Sequence, residues 1–375
     1  MTLSPDRQWD PDRLDDQAHL VEADPGGMLP AVASSAAQVR VARRAWTAAG
    51  IGESLAAEGR PRAVVVAGAG VSAVAGDLLA AVCGPGVPVP VLTVRSYRLP
   101  GWVGAADLVV AVSFDGRTEE TVALAREAVR RGCRLLAIGR EDSPLHAVAR
   151  QAGAPFARVE AGGQARAGLW ALAVPLVCAA SAIRLTQADE GLFEAVAERL
   201  EDTAHRCRPG SESFINPGKN LALELAETIP MIWSSSPSAA VAASRFAAQL
   251  NQNAGYPALH GEIPDVCHDQ AAALDGPLAV RDIFADESAR ALRLVMIRDT
   301  DEHERVARRR EICVRMAHDR GVPVTEIQAE GLHPLERIAG LVGLMDYGSV
   351  YLALGYGIDP SPVPAVRELE TRLSE

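Results

Sequence analysis

A chain of 375 residues, 48% hydrophobic and 4% aromatic, with a formal net charge of -11, is long enough for two domains and aliphatic enough for a large packed core. Its acidic balance and scarce rings exclude a nucleic-acid surface, which needs basic patches and stacking platforms. Anions are repelled overall, so an anionic ligand has to be held locally by helix N-termini and a few arginines. Cys83, Cys133, Cys178, Cys207, Cys267 and Cys313 are widely spaced, with no CxxC pair to suggest zinc or redox chemistry, and read as reduced thiols. The start, MTLSPDRQWDPDRLDD, lacks the basic and apolar regions of a signal peptide, and no unbroken apolar stretch of membrane-spanning length follows. A cytoplasmic protein is expected.

In chain order, residues 1–20 are expected as a flexible polar tail and Val39 to Gly50 has helical spacing. Pro61 to Gly76 runs strand, tight turn, helix. Strands follow at Val89 to Val94, Leu108 to Ser113 and Arg134 to Ile138, with a helix at Glu119 to Arg131 between the last two. Alternation of β-branched strands with amphipathic helices predicts a parallel sheet flanked by helices. The segment Gly168 to Cys207 is helical by period, and Leu169 to Ile183 within it is apolar enough to be buried. Pro, Gly, Ser and Asn gather at Pro209 to Asn220, the expected domain boundary. A second series then begins: a strand at Pro230 to Trp233, a serine-rich turn, a helix through Gln252, strands at Leu292 to Arg298 and Val322 to Ile327, and helices at Glu302 to Arg320 and Leu335 to Leu354. The expected domains are 21–208 and 209–375. The fold class expected is α/β, two flavodoxin-like parallel sheets, each an α-β-α sandwich.

The turn Gly68-Ala69-Gly70-Val71-Ser72 lies between a strand and a helix, where glycines let backbone amides approach a phosphate and the helix N-terminus supplies positive potential. The same GxGxxA pattern fits a nicotinamide fingerprint, although Arg95 stands where that fold carries Asp or Glu. The third strand ends in Ser113-Phe114-Asp115-Gly116-Arg117-Thr118-Glu119-Glu120-Thr121. Hydroxyls there suit a phosphate monoester, and Thr118 equally suits a helix cap.

GAGVSAVAGD followed by SFDGRTEET resembles the paired phosphate-binding motifs of sugar isomerase (SIS) domains, a Gly-Gly-Ser turn and a Ser-x-Ser-Gly-x-Thr-x-Glu-Thr turn. The resemblance implies phosphate binding by Gly70, Ser72, Ser113, Gly116, Thr118 and Thr121. Gly163-Gln164-Ala165-Arg166-Ala167 resembles the family's Pro-Arg segment, which implies that Arg166 stabilises an enediolate. Arg245 to Ala254, Pro264 to Asp269 and Asp346 to Val363 resemble segments of the bifunctional phosphoglucose/phosphomannose isomerases, so the likeness spans residues 20 to 375. It implies that His268 opens the sugar ring, that the reaction is aldose-ketose isomerisation through an enediol without metal, nucleotide or other cofactor, and that the chain is a homodimer. The partner expected is a small sugar phosphate, with no nucleic acid and no membrane.

The family's catalytic base is the glutamate of Asn-Glu-Asn, and here that place holds Gln252. An amide cannot accept the proton, and loss of a general base typically costs ~10²- to 10⁴-fold in rate. The family's C-terminal Leu-Lys becomes Leu369-Glu370, and its lysine after Asn-Ala becomes Gly255. Glu262, Asp265 and Asp269 are candidate substitute bases. The alternatives expected are an isomerase with a relocated base and a catalytically silent sugar-phosphate sensor or partner subunit.

Overall fold

The computed structural model describes residues 8–160, 162–279 and 291–374. The chain divides into two compact units: Ala33–Glu201 with His333–Glu336, and Asp202–Leu332 with Arg337–Glu375 and the N-terminal segment to Val32. That segment is structured from Pro11, and so is not the free tail expected. It forms a 3-10 turn at Pro11–Leu14, α1 (Gln17–Glu22), whose first amides are capped by Asp16, and α2 (Met28–Ala33). Leu14 and Leu20 are buried.

The first-sheet unit continues through α3 (Ser35–Ala49), α4 (Ile51–Ala57), β1 (Val64–Ala67), α5 (Val71–Cys83), β2 (Val91–Val94), β3 (Leu108–Val112), α6 (Glu119–Arg130), β4 (Arg134–Gly139), α7 (Pro144–Ala152), β5 (Phe156–Arg158), α8 (Leu169–Ala182) and α9 (Glu190–Arg206). All strands are parallel, in the order β2-β1-β3-β4-β5. Central strands covered on both faces must be apolar throughout, and VVVA and LVVAV are fully buried. Arg62 grips Asp107 with Nε to Oδ1 at 2.9 Å and a terminal nitrogen to Oδ2 at 2.7 Å, tying the start of β1 to that of β3 and fixing the register Val64 to Leu108. α8 is apolar on every side and packs among α3, α4 and α5. The single long helix expected over 168–207 is two, because the chain breaks after Ile183, with Arg184 at φ 61°.

The second-sheet unit comprises α10 (Pro217–Leu225), β6 (Thr228–Ser234), α11 (Pro237–Ala254), β7 (Leu259–Glu262), 3-10 turns at Asp265–Cys267 and Gln270–Asp275, β8 (Ala291–Arg298), α12 (Glu304–Asp319), β9 (Val324–Gln328), α13 (Pro334–Gly355) and α14 (Pro364–Ser374). Its parallel strands run β7-β6-β8-β9, which repeats the order of the first four strands of the other sheet. α13, expected as a helix at Leu335 to Leu354, is long and apolar enough to cross a membrane by length and composition, where no such stretch was expected, and 89% of that window is buried in the fold.

Lys219, the chain's one lysine, is 1% exposed on α10. Its ammonium donates to the carbonyls of Ser211 at 2.7 Å and Pro209 at 2.9 Å and to Asp15 Oδ1 at 3.1 Å, so the boundary segment and the N-terminal segment are pinned to one buried charge.

Candidate functional site

In an open parallel sheet, ligands lie beyond the carboxyl ends of the strands where the strand order reverses. In the first sheet that point falls between β1 and β3, and the turns leaving those two strands are the two motifs singled out by sequence. Gly70, with φ 55° and ψ -130°, makes the turn into α5 in a conformation closed to residues with a Cβ. Gly116, at φ 71°, presses so closely on Ser143 that a Cβ would come within 2.1 Å of its hydroxyl. Ser72 and Ser113 are buried at these strand ends.

The hydroxyls of the second turn are arranged in a way that helix capping does not explain. Thr118 holds the N-cap position of α6 without a side-chain bond to the helix. Its hydroxyl instead faces Ser113 Oγ at 2.9 Å. Thr121 is turned inward, its hydroxyl donating to the carbonyl of Val112 at 3.3 Å. Arg166 is half-buried in a 3-10 turn at Ala165–Ala167. The ring of Phe114 closes on Gly168, two residues further on, and Gln38 donates to the carbonyl of Ala167 at 3.0 Å. The arginine turn is thereby held by packing against Phe114 of the Ser113–Thr121 turn on one side and by a hydrogen bond from Gln38 on the other.

Sequence reasoning missed Asp115. It stands where the motif's second serine belongs, and its Oδ1 accepts from Ser113 Oγ at 3.2 Å and from the Arg117 amide at 2.9 Å. A protein carboxylate thus takes donors that an anionic ligand would use. The signal was present in SFDGRTEET, as a Ser-to-Asp departure within the motif. Arg95, noted for the nicotinamide alternative, is ion-paired with Asp77 on α5.

The corresponding turn of the second sheet, Ser234 to Ser238, is filled from inside. Ser236 Oγ donates to Asp299 Oδ2 at 2.6 Å, the Asp299 amide donates to Ser235 Oγ at 2.9 Å, and Arg337 Nε lies 2.8 Å from Asp299 Oδ1. Both side chains of that ion pair are almost fully buried.

Gln252 and His268 belong to the second-sheet unit. Gln252 sits in the last turn of α11 between two anchored asparagines: Asn251 bonds back to the Ala247 carbonyl at 2.7 Å, and Asn253 donates to Ser349 Oγ at 2.9 Å. Gly255, where the family carries lysine, ends the helix at φ 60° with its amide donating to the Asn251 carbonyl, a left-handed closure that favours glycine. Beyond it, β7 ends at Glu262 and leads to the turn bearing His268. Gln270 holds that turn to the sheet, its Nε2 donating to the His260 carbonyl at 3.0 Å and its Oε1 accepting from Trp233 Nε1 at 2.9 Å. His268, Asp265 and Asp269 are exposed, and Asp269 accepts from the Gln270 amide. Glu262 is half-buried at a strand end, in register with Ser234, and burial raises its carboxyl above the usual glutamate value. Glu370 is exposed on α14.

Comparison with known proteins agrees with the family resemblance of the sequence. Residues 214–373 match the bacterial phospho-glucose isomerase C-terminal SIS domain. The bifunctional phosphoglucose/phosphomannose isomerase of Caldicellulosiruptor bescii is 30% identical over 312 residues, covering 83% of this chain and 89% of that one. The chain belongs to the SIS-domain family of bifunctional phosphoglucose/phosphomannose isomerases. The Aquifex aeolicus member is 29% identical, over 76% of this chain and 82% of its own. Among solved structures, tagatose-6-phosphate ketose/aldose isomerase from Escherichia coli superposes with a TM-score of 0.64 at 14% identity, covering 87% of this chain and 94% of that one, a likeness of fold.

Proposed function

We propose that the first-sheet turns bind the phosphate of a hexose 6-phosphate and that the chain isomerises glucose 6-phosphate or mannose 6-phosphate with fructose 6-phosphate. The observation that carries this reading is the Thr118 hydroxyl, turned from its own helix toward Ser113 at 2.9 Å, beside first-turn amides that the side chain of Thr118 leaves uncapped. Ser72, Ser113, Gly116 and Thr118 hold the phosphate, while Thr121 seats α6 on β3.

In this reading His268 serves ring opening and Arg166 meets the negative charge of the enediolate. Glu262 takes the role that Gln252 cannot: it removes the proton from C2 and returns it to C1. Support for Glu262 is its place at a strand end and its raised carboxyl, since a base works best with a pKa close to the operating pH. Family membership supports a homodimer in the cytoplasm that needs no metal or nucleotide.

The second reading is a silent sugar-phosphate sensor. Asp115 in the phosphate turn, Gln252 at the base position and Glu370 in place of a lysine favour it. A coupled isomerase assay with glucose 6-phosphate and mannose 6-phosphate, run beside calorimetric titration of the same sugars, separates the two. The isomerase reading expects turnover that falls at least ~10²-fold in Glu262→Gln and His268→Ala with binding retained. Binding without turnover, and turnover gained in Gln252→Glu, would establish the sensor.

A further inference from the structure

Cys267 and Cys313 are 46 residues apart in sequence, yet their Sγ atoms lie 3.7 Å from each other within the second-sheet unit. Cys267 closes the 3-10 turn Asp265–Cys267 and is half-buried, so a small oxidant reaches it. Cys313 lies midway along α12, 5% exposed, packed in the core with Val266, Leu294, Met296 and Ala317. Both are free thiols. A disulfide has its sulfurs ~2.05 Å apart, so from 3.7 Å the pair has to approach by under ~2 Å.

We propose that Cys267 and Cys313 are a modification site, a dithiol that hydrogen peroxide closes to an intramolecular disulfide, tethering the turn that carries His268 to α12. The steps balance without any further reactant. The Cys267 thiolate attacks one peroxide oxygen, the O–O bond breaks, and the departing hydroxide takes a proton to leave as water, giving a sulfenic acid. The Cys313 sulfur, losing its proton, attacks the sulfenic sulfur. The S–O bond breaks, the oxygen leaves as a second water, and the S–S bond forms. Two thiols are oxidised and one peroxide is reduced to two waters. The order follows from access: Cys267 meets solvent, whereas Cys313 is buried and its thiol is pushed up to about 12 by burial and by the neighbouring sulfur.

The bond fixes the neighbour of His268. Val266 already packs the turn into the core that Cys313 shares and Gln270 holds it to β6 and β7, so a bond at the half-buried sulfur between them adds a covalent link to α12.

The test uses the reduced full-length chain treated with hydrogen peroxide, alkylated and digested without reductant. Mass spectrometry is expected to find the Cys267 and Cys313 peptides joined, two hydrogens lighter than the free pair, at least about tenfold above any other cysteine pair and reversed by dithiothreitol. The excess over other pairs is expected to vanish when oxidation is done in urea. Cys267→Ser, a near-isosteric change at a half-buried position, should leave Cys313 unpaired. Amide exchange across residues 264–270 is expected to slow at least about fivefold on oxidation. Cys267 found as a thiol or as sulfinic acid with no joined peptide would overturn the site, and joined peptides with unchanged exchange would overturn the tether. Neither readout depends on whether the chain turns over sugar.

Discussion

Arg245 and Asp346, 101 residues apart, form a two-pronged ion pair at 2.9 and 2.6 Å with each side chain 4% exposed. The pair joins α11 to α13, and Gln249 adds a third contact to the same carboxylate at 3.3 Å. Two of the segments that resemble the isomerases are therefore held together by one buried charge pair, with Gln252 projecting less than two turns away. A buried pair is dear to break and inexpensive to replace whole. Arg245→Ala, which strands Asp346, is expected to cost ~3–5 kcal/mol in urea unfolding, whereas Arg245→Met with Asp346→Leu should cost far less. Equal losses in both variants would show that the pair contributes more than mutual neutralisation.

Asp115 occupies the Ser113 hydroxyl and the Arg117 amide, donors that a phosphate bound at this turn would need. Asp115→Ser restores the motif and removes one negative charge, so calorimetry with a sugar phosphate is expected to show roughly tenfold tighter binding, about 1.4 kcal/mol, with Asp115→Asn in between. Unchanged or weaker binding would mean that the carboxylate swings clear or helps.

Gly116 has no room for a side chain. Gly116→Ala places a Cβ against Ser143 and forces φ 71° on a residue that disfavours it. Destabilisation by more than ~1 kcal/mol is expected, together with loss of phosphate binding, as read by thermal melts with and without ligand. A melt that still rises with sugar phosphate as in wild type would separate the turn's shape from its binding.

Glu262 gives a pH signature whose sign is fixed by its surroundings. Burial raises its carboxyl, so the folded state favours the protonated form. Its contribution to stability is therefore fully present below the ordinary glutamate value of 4.5 and is lost as pH rises through the raised one. Glu262→Gln should match wild type in acid and melt higher than wild type toward neutral pH. Measured across that range, a variant less stable than wild type at neutral pH would mean that the carboxylate has a stabilising partner when ionised.

The strands of both sheets were legible where the chain is apolar and β-branched, as at Val64–Ala67 and Leu108–Val112. β5 and β7 were not, being three and four residues long at sheet edges, and LHGE has neither an apolar run nor an alternation. That omission matters, because β7 delivers Glu262. The turn at Ser234 to Ser238 was visible as a turn, but its plug, Asp299, lies just past the end of β8, 63 residues from Ser236, and no local pattern links the two. Thr118 read equally as cap or ligand, and nothing in the spacing told that its hydroxyl turns to Ser113 and away from its own helix. Order within the sheets and the pairing of Arg245 with Asp346 are products of tertiary packing, which spacing along one chain does not encode.

Of the 37 lysines and arginines, the one ε-amine is Lys219, and three oxygen acceptors and the Tyr351 ring enclose it. Reagents that acylate lysine side chains, and surface-coupling chemistries that rely on them, therefore find no second ε-amine to react with, arginine supplying the other 36 of the 37. Acylation of Lys219 waits on opening of the boundary segment around it, so its labelling rate in an otherwise untouched sample is a clock for that opening.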